Sequence, residues 1–353
     1  MATQFIATVA KPGKGEVVVT LLPPSLPTFT TLTYRYPLKL LNHVSRYTPV
    51  SSALPCISRP VYLYIMSYGG GLLAGDEIGV SITLNPQTRA VVTTPHGSNK
   101  IYRTDAKEKT RVRMAVPDQV LMDRSRQTLD VHIDNQAAFC YLPDPNVPFR
   151  ESQHEQIQTF TLDAAATHTD RGSLCMLDWV CEGRSAMGEN WDLHLWHGKN
   201  EVWSVDKATG YRKLLLRDSM ILDAELEDGG LPSTQEPSRT TNLIRDRVGS
   251  NTILGTVILY GPVFERLMVF LLDRFKSQPR LGACDWSKGS NNPMPQLSLH
   301  DDVTWTVAHI RGSFVLMKFG ARDADGAKRW LGSLLREEGS IEMEFGEDAL
   351  LCL

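Results

Sequence analysis

Apolar and polar residues alternate with a period of two over residues 78–84. Ile78, Val80, Ile82 and Leu84 share one face, and Gly79, Ser81 and Thr83 take the other. That spacing predicts a half-buried strand. Asn85-Pro86 reads as a turn, and residues 89–94 as a second strand returning from it. A polar loop, residues 95–99, leads to the extended segment Lys100-Ile101-Tyr102-Arg103. The same period sets Leu129, Val131 and Ile133 against Asp130, His132 and Asp134. It also sets Val112, Met114 and Val116 against Arg111 and Arg113, and Trp191, Leu193 and Leu195 against Asp192, His194 and Trp196. Further strand-like runs cover residues 5–9, 15–22, 28–34, 61–66, 252–260, 303–310, 313–319 and 341–345.

Two segments change period. Val263, Phe264, Leu267, Met268, Leu271, Leu272 and Phe275 follow helical spacing and predict a helix over 262–277. Ala327, Trp330, Leu331, Leu334 and Leu335 predict another over 325–337, with Asp323 or Asp325 available as N-cap. Two stretches, 225–239 and 277–302, carry Gly, Pro, Ser and Asn with few apolar residues and read as surface insertions. Residues 48–60 form a Pro- and Ser-containing loop. No internal repeat stands out. The pattern is a large β body with a small α+β annex near the C-terminus.

Composition narrows the function classes. The 353 residues are 42 % hydrophobic, enough for a substantial core in one large domain or two ordinary ones. A net charge of −3 gives no electrostatic case for nucleic acid or an anionic membrane. No apolar run approaches the ~18–20 residues that span a bilayer. Residues 1–10 lack the basic and apolar regions of a secretory signal. A soluble, cytoplasmic protein is expected. The six cysteines form no C-x-x-C pair and read as buried thiols.

The glycine-rich run GGGLLAGD, residues 69–76, is not a phosphate loop. A strand follows it where a phosphate loop needs a helix, and no Gly-Lys-Ser/Thr is present. Asp76 reads either as a turn carboxylate bonding its own backbone or as an exposed carboxylate able to meet a divalent cation. Glu182, Arg184 and Glu189 sit in EGRSAMGEN, where Gly183 and Gly188 permit turns. An Arg184–Glu189 pair would pin this loop. His96, in a turn, is either solvated or a transient ligand. His194 and His197 would point to opposite faces of a strand and are discounted as a ligand pair. The prolines of YLPDPNVPF, residues 141–149, stiffen a connection or present a partner epitope. Asp76 and Glu189 could also be the acid and nucleophile of a β-rich glycosidase, depending on their separation.

Five motifs occur in a fixed order: YPLKLL at 36–41, GGGLLAGD at 69–76, Thr93-Thr94 with KIYR at 100–103, YLPDPNVPF at 141–149 and EGRSAMGE at 182–189. Together they resemble the UreD family of urease accessory proteins, called UreH in some bacteria. The resemblance covers roughly residues 36–191. It implies one domain over 1–353, folded as a helical stack of β-strands with two α-helices in the C-terminal part. It implies a non-enzymatic urease maturation factor that joins apo-urease to a UreF-like accessory protein and, through it, the GTPase UreG. Nickel would pass through a polar internal channel, with no tightly bound cofactor and Ni²⁺ held only transiently. On that reading Asp76 and Glu189 line the nickel path, and His96 is a further transient ligand. A conduit calls for scattered carboxylates, because a tight preformed site would retain the ion. One of the two helices is expected to be partly exposed until a UreF-like partner covers it. The rival readings are a β-rich carbohydrate-active enzyme and an adaptor of the same fold with no metal role.

Overall fold

Parallel pairing between strands far apart in sequence sets the architecture. A computed structural model of the chain describes residues 11–43, 59–97, 99–103, 124–164, 167–224, 243–278, 303–311 and 313–353. Among these residues the strands form three sheets. Sheet I has seven strands in the order β15 (Arg212–Asp223), β14 (Leu195–Val205), β12 (Gln153–Asp163), β9 (Ser125–Ile133), β6 (Glu77–Leu84), β1 (Lys14–Leu22) and β2 (Leu26–Tyr34). Sheet II has eight, in the order β17 (Val303–Ile310), β18 (Phe314–Ala321), β16 (Ile253–Tyr260), β13 (Ser173–Cys181), β10 (Ala138–Tyr141), β7 (Arg89–Thr93), β4 (Val61–Ser67) and β3 (Leu38–His43). Sheet III is small: β11 (Val147–Pro148), β8 (Lys100–Ile101) and β5 (Gly71–Leu72).

The chain visits the sheets in rotation. β4, β5 and β6 make one coil, β7, β8 and β9 the next, and β10, β11 and β12 a third. Corresponding strands of successive coils pair in parallel. This is the helical stack of strands that the family resemblance implies. Antiparallel pairs close the ends of the stack: β1 with β2 and β3 with β4 at one, β14 with β15 and β16 with β18 at the other. Gly71 shows why the glycine run lies where it does. A Cβ there would stand 2.5 Å from the Lys100 carbonyl oxygen of the next coil, so only glycine fits the stack.

Two apolar layers result. Val17, Ile82, Val131, Phe139, Phe160 and Met176 fill the interior between the sheets. Leu177, Trp179, Phe264, Leu271, Trp330 and Leu331 fill the space between the outer face of sheet II and the helices. β13 is buried along its whole length because it faces both layers. The four α-helices of the described residues are α1 (Leu243–Val248), α2 (Glu265–Lys276), α3 (Ala324–Glu338) and α4 (Ser340–Phe345). The two long ones are those read from helical spacing. Asp323 caps α3, its carboxylate accepting the Gly326 N–H at 2.7 Å.

Four local expectations change. Residues 89–94 do not return as a hairpin, because β6 belongs to sheet I and β7 to sheet II; the turn at Asn85-Pro86 is a corner of the coil. Residues 341–345 are helical, not a strand. Ile341 and Phe345 are both buried one helical turn apart while Met343 is half exposed, a pattern the alternating sequence concealed. The alternation at Trp191, Leu193 and Leu195 precedes the strand: Trp191 has φ 55°, and β14 starts only at Leu195. A structural repeat exists although the sequence shows none. The expected strands at 5–9 and 112–116, the loop at 48–58 and the insertions at 225–239 and 279–302 lie outside the described residues.

Candidate functional site: a polar line through the coil interior

The three residues singled out from sequence occupy separate settings. Asp76 is half-buried and its Oδ2 accepts the Leu73 N–H at 2.8 Å, closing the turn ahead of β6. The Asp76 carbonyl accepts the Arg126 N–H at 2.8 Å, tying the same turn to the next coil. His96 is exposed, with Nδ1 3.7 Å from Asp144 Oδ1. Asp144 is buried, pairs with Lys328 of α3 and accepts the Gly97 N–H, so it pins this loop to the helical layer. Glu189 is 4 % exposed. Its Oε2 accepts the Arg184 backbone N–H at 3.0 Å and Nε at 3.1 Å, while Oε1 meets Nη2. Burial raises the Glu189 carboxyl, but the Arg184 guanidinium and the backbone donors outweigh it and hold the group below its ordinary range. Arg184 is fixed in turn by lying 3.8 Å over the Phe149 ring. Gly183, at φ 117°, lets the loop pass: a Cβ there would stand 3.0 Å from the Pro148 carbonyl.

A general acid needs a raised carboxyl, so the downward shift of Glu189 speaks against its acting as the acid of a glycosidase. His197 pairs with Glu155 on the outer side of sheet I, away from His194, which precedes the strand. The described residues hold no group of three or more His, Cys, Asp or Glu placed to bind one metal ion. Cys140, Cys175, Cys181 and Cys352 are free and buried, as read from sequence.

A second set of polar groups lies between the sheets. On β12 the inward positions are His154, Gln156, Gln158, Phe160 and Leu162, so three polar residues stand where a strand normally presents apolar ones. Gln158 pairs in register with Asn200 of β14, and Asn200 with Asp218 of β15. Across the interior, Asp178 of β13 pairs with Thr256 of β16, and Thr256 with Lys318 of β18. Hydrogen bonds join the two rows. Gln156 Nε2 donates to Asp178 Oδ1 at 2.8 Å and Asn200 Nδ2 donates to Asp178 Oδ2 at 2.8 Å. Lys318 Nζ meets Asp218 Oδ1 at 2.6 Å.

The line continues towards sheet III. Asn146 Nδ2 donates to Gln156 Oε1 at 3.3 Å. Asn146, Gln127 and Asn99 border a cavity of about 20 Å³ whose wall is mixed, with Leu72, Ile78 and Ile101 on its apolar side, room for a single water. Polar side chains therefore run along the coil axis, from this cavity through Gln156, Asp178 and Asn200 to Asp218 and Lys318.

Asp178 is the carboxyl at the centre of the line and is 3 % exposed. Burial pushes its carboxyl above the ordinary range, and the two amide donors only partly offset this. Several oxygens beside it have no hydrogen-bond partner: Gln158 Oε1, Asn200 Oδ1, Thr256 Oγ1 and Asp218 Oδ2. Buried polar atoms are ordinarily paired. Four unpaired oxygens beside a carboxyl make this the most polar part of the interior. Sequence reading missed Asp178. The available signal was a lone carboxylate inside the otherwise apolar strand SLCMLDWVC.

Comparison with known proteins fits this architecture. The family model for the UreD urease accessory protein matches residues 15–345. A urease accessory protein ureD-like protein of Schizosaccharomyces pombe is 27 % identical over 313 residues, 88 % of this chain and 90 % of that protein. Urease accessory protein 4 of Cryptococcus neoformans is 26 % identical over 328 residues, 89 % of this chain and 86 % of that protein. Urease accessory protein D of Arabidopsis thaliana is 26 % identical over 250 residues, 71 % of this chain and 69 % of that protein. Five ordered motifs, a coiled stack of strands and a match spanning nearly the whole chain agree: the chain belongs to the UreD family of urease accessory proteins.

Proposed function

We propose that this chain delivers nickel to apo-urease through its polar interior, acting as a scaffold between urease and the remaining accessory proteins. Family membership gives the coarser part, an accessory role in urease maturation, and supports a non-catalytic one. The line from Gln127 and Asn146 through Gln156, Asp178 and Asn200 to Asp218 carries the finer part. An interior built for stability alone would fill these positions with apolar side chains, since a buried carboxyl and unpaired amides cost stability. Their presence along one axis supports a path for a polar cargo. Ni²⁺ accepts carboxylate, amide and water oxygens, and a dilute row of such donors passes the ion on where a His/Cys cage would keep it.

Apo-urease and a UreF-like protein are the partners this role requires, with UreG reached through the latter, in the cytoplasm. On this proposal nickel is cargo, held transiently. Asp76, Glu189 and His96 keep a place in it as further transient contacts, although each already has a partner within the chain. Among the described helices none is long and apolar enough to cross a membrane. The test is urease activity in cells that lack their own UreD, supplied with this chain and with partners shown to bind it. Restored activity at limiting nickel is expected. Soluble, partner-bound protein that restores none would refute delivery.

A further inference from the structure

The polar line does not end in apolar packing. At the β15 end of sheet I it meets an ion pair, Asp218 with Lys318, at 2.6 Å. The two partners differ in exposure. Asp218 is 9 % exposed, with Oδ2 buried and unpartnered, whereas the Lys318 side chain is 44 % exposed. Asp218 thus faces inward beside Asn200, and the Lys318 ammonium reaches it from the solvent side. Both charges act on Asp178, Asp218 raising its carboxyl and Lys318 lowering it, so all three belong to one electrostatic unit. A lysine is an unexpected lining for a cation path. Its charge repels a divalent ion, and an ammonium occupies the carboxylate oxygen that such an ion would seek. A half-exposed lysine on a flexible four-carbon stem, however, can leave without being buried elsewhere.

We propose that Lys318 is a displaceable plug at the mouth of the interior line. Its ammonium holds Asp218 in the empty protein, and an arriving divalent cation takes that place while Lys318 turns to solvent. The exchange conserves charge compensation at Asp218 and keeps the interior closed to monovalent ions, which compete poorly with a tethered ammonium. The free Oδ2 of Asp218, Asn200 Oδ1 and Thr256 Oγ1 then supply the oxygens that lead the ion towards Asp178. This inference rests on the nickel path proposed above and adds its gate.

The full chain, titrated with Ni²⁺ alone by calorimetry, tests it. Lys318→Met removes the competing ammonium and is expected to tighten nickel binding about tenfold or more. Lys318→Gln removes the charge but still donates to Asp218, and it is expected to tighten binding similarly even where the Met variant folds poorly. Lys318→Arg keeps the pair and is expected to bind no tighter than the parent. Adding Asp218→Asn to Lys318→Gln should abolish the gain. Unchanged affinity in Lys318→Met and Lys318→Gln, with weaker binding in Asp178→Asn, would overturn the plug and leave the path standing. Nickel binding indifferent to both Lys318 and Asp178 would overturn the path and the plug with it.

Discussion

At the residue scale, Asp178 and Glu189 show how the same side-chain type is set to opposite uses. Glu189 is paired with a guanidinium, so its carboxyl is held low. Its contribution to stability is present above the ordinary glutamate range near pH ~4.3 and is lost as pH falls through the depressed folded value. Glu189→Gln is expected to cost about 2–3 kcal/mol in urea unfolding at neutral pH, and to flatten the loss of stability on acidification. If the variant is as stable as the parent at neutral pH, the loop-pinning role is wrong. Asp178 has the reverse sign. Burial raises its carboxyl, so the folded state binds the proton more tightly and stability falls as pH rises through the raised value. Asp178→Asn removes that cost. Asn200 can flip its amide to present its unpaired oxygen to the new amide. The variant is expected to melt higher than the parent at neutral pH, by a margin that shrinks towards pH ~4. A lower melting temperature would show that the charge is structural rather than retained for function.

Among the elements, legibility followed the polarity of inward positions. β6, and β9 from Leu129 onward, present apolar residues inward and are read directly from alternation. β12 presents His154, Gln156 and Gln158 inward against Glu155, Ile157 and Thr159 outward, so alternation is erased where the polar line runs. The polar interior therefore hid its own strand. β13 lacks alternation for a different reason, burial on both faces. The helices were legible because α2 and α3 each bury one stripe. Asp323→Ala is expected to cost about 1 kcal/mol through loss of the α3 cap, measured by denaturant titration; no change would mean that tertiary packing alone sets this helix end. Gly255 of β16 is tightly covered: a Cβ there would stand 2.2 Å from the Phe319 ring. Gly255→Ala is expected to destabilise by about 1–3 kcal/mol, since the ring must shift beneath Trp330. α2 leaves Val269 half exposed while burying Leu267 and Leu271. Hydrogen exchange in α2 is expected to slow when a UreF-like partner binds; unchanged exchange would remove this helix from the contact.

For the whole molecule, the coil is what gathers scattered polar residues onto one line. Gln127, Asn146, Gln156, Asp178, Asn200 and Asp218 come from five different strands and one connection, and only stacking brings them onto one axis. The coils differ in length and in their corner residues, so no sequence period announces them. The ordered motifs were legible because they mark close approaches and rigid corners: Gly71 against Lys100, Gly183 against Pro148, and Asp144 tying the loop before β11 to α3. The candidates drawn from those motifs, Asp76 and Glu189, lie in hydrogen-bonded turns at such corners, while the interior carboxyl sits in a strand that carries no motif.

The most direct test compares the parent chain with Asp178→Asn in UreD-deficient cells at limiting nickel, with protein level and partner assembly measured in the same samples. Delivery through the interior requires that Asp178→Asn accumulate and assemble like the parent yet activate urease at least tenfold less. Full activation by the variant would show that nickel does not pass Asp178.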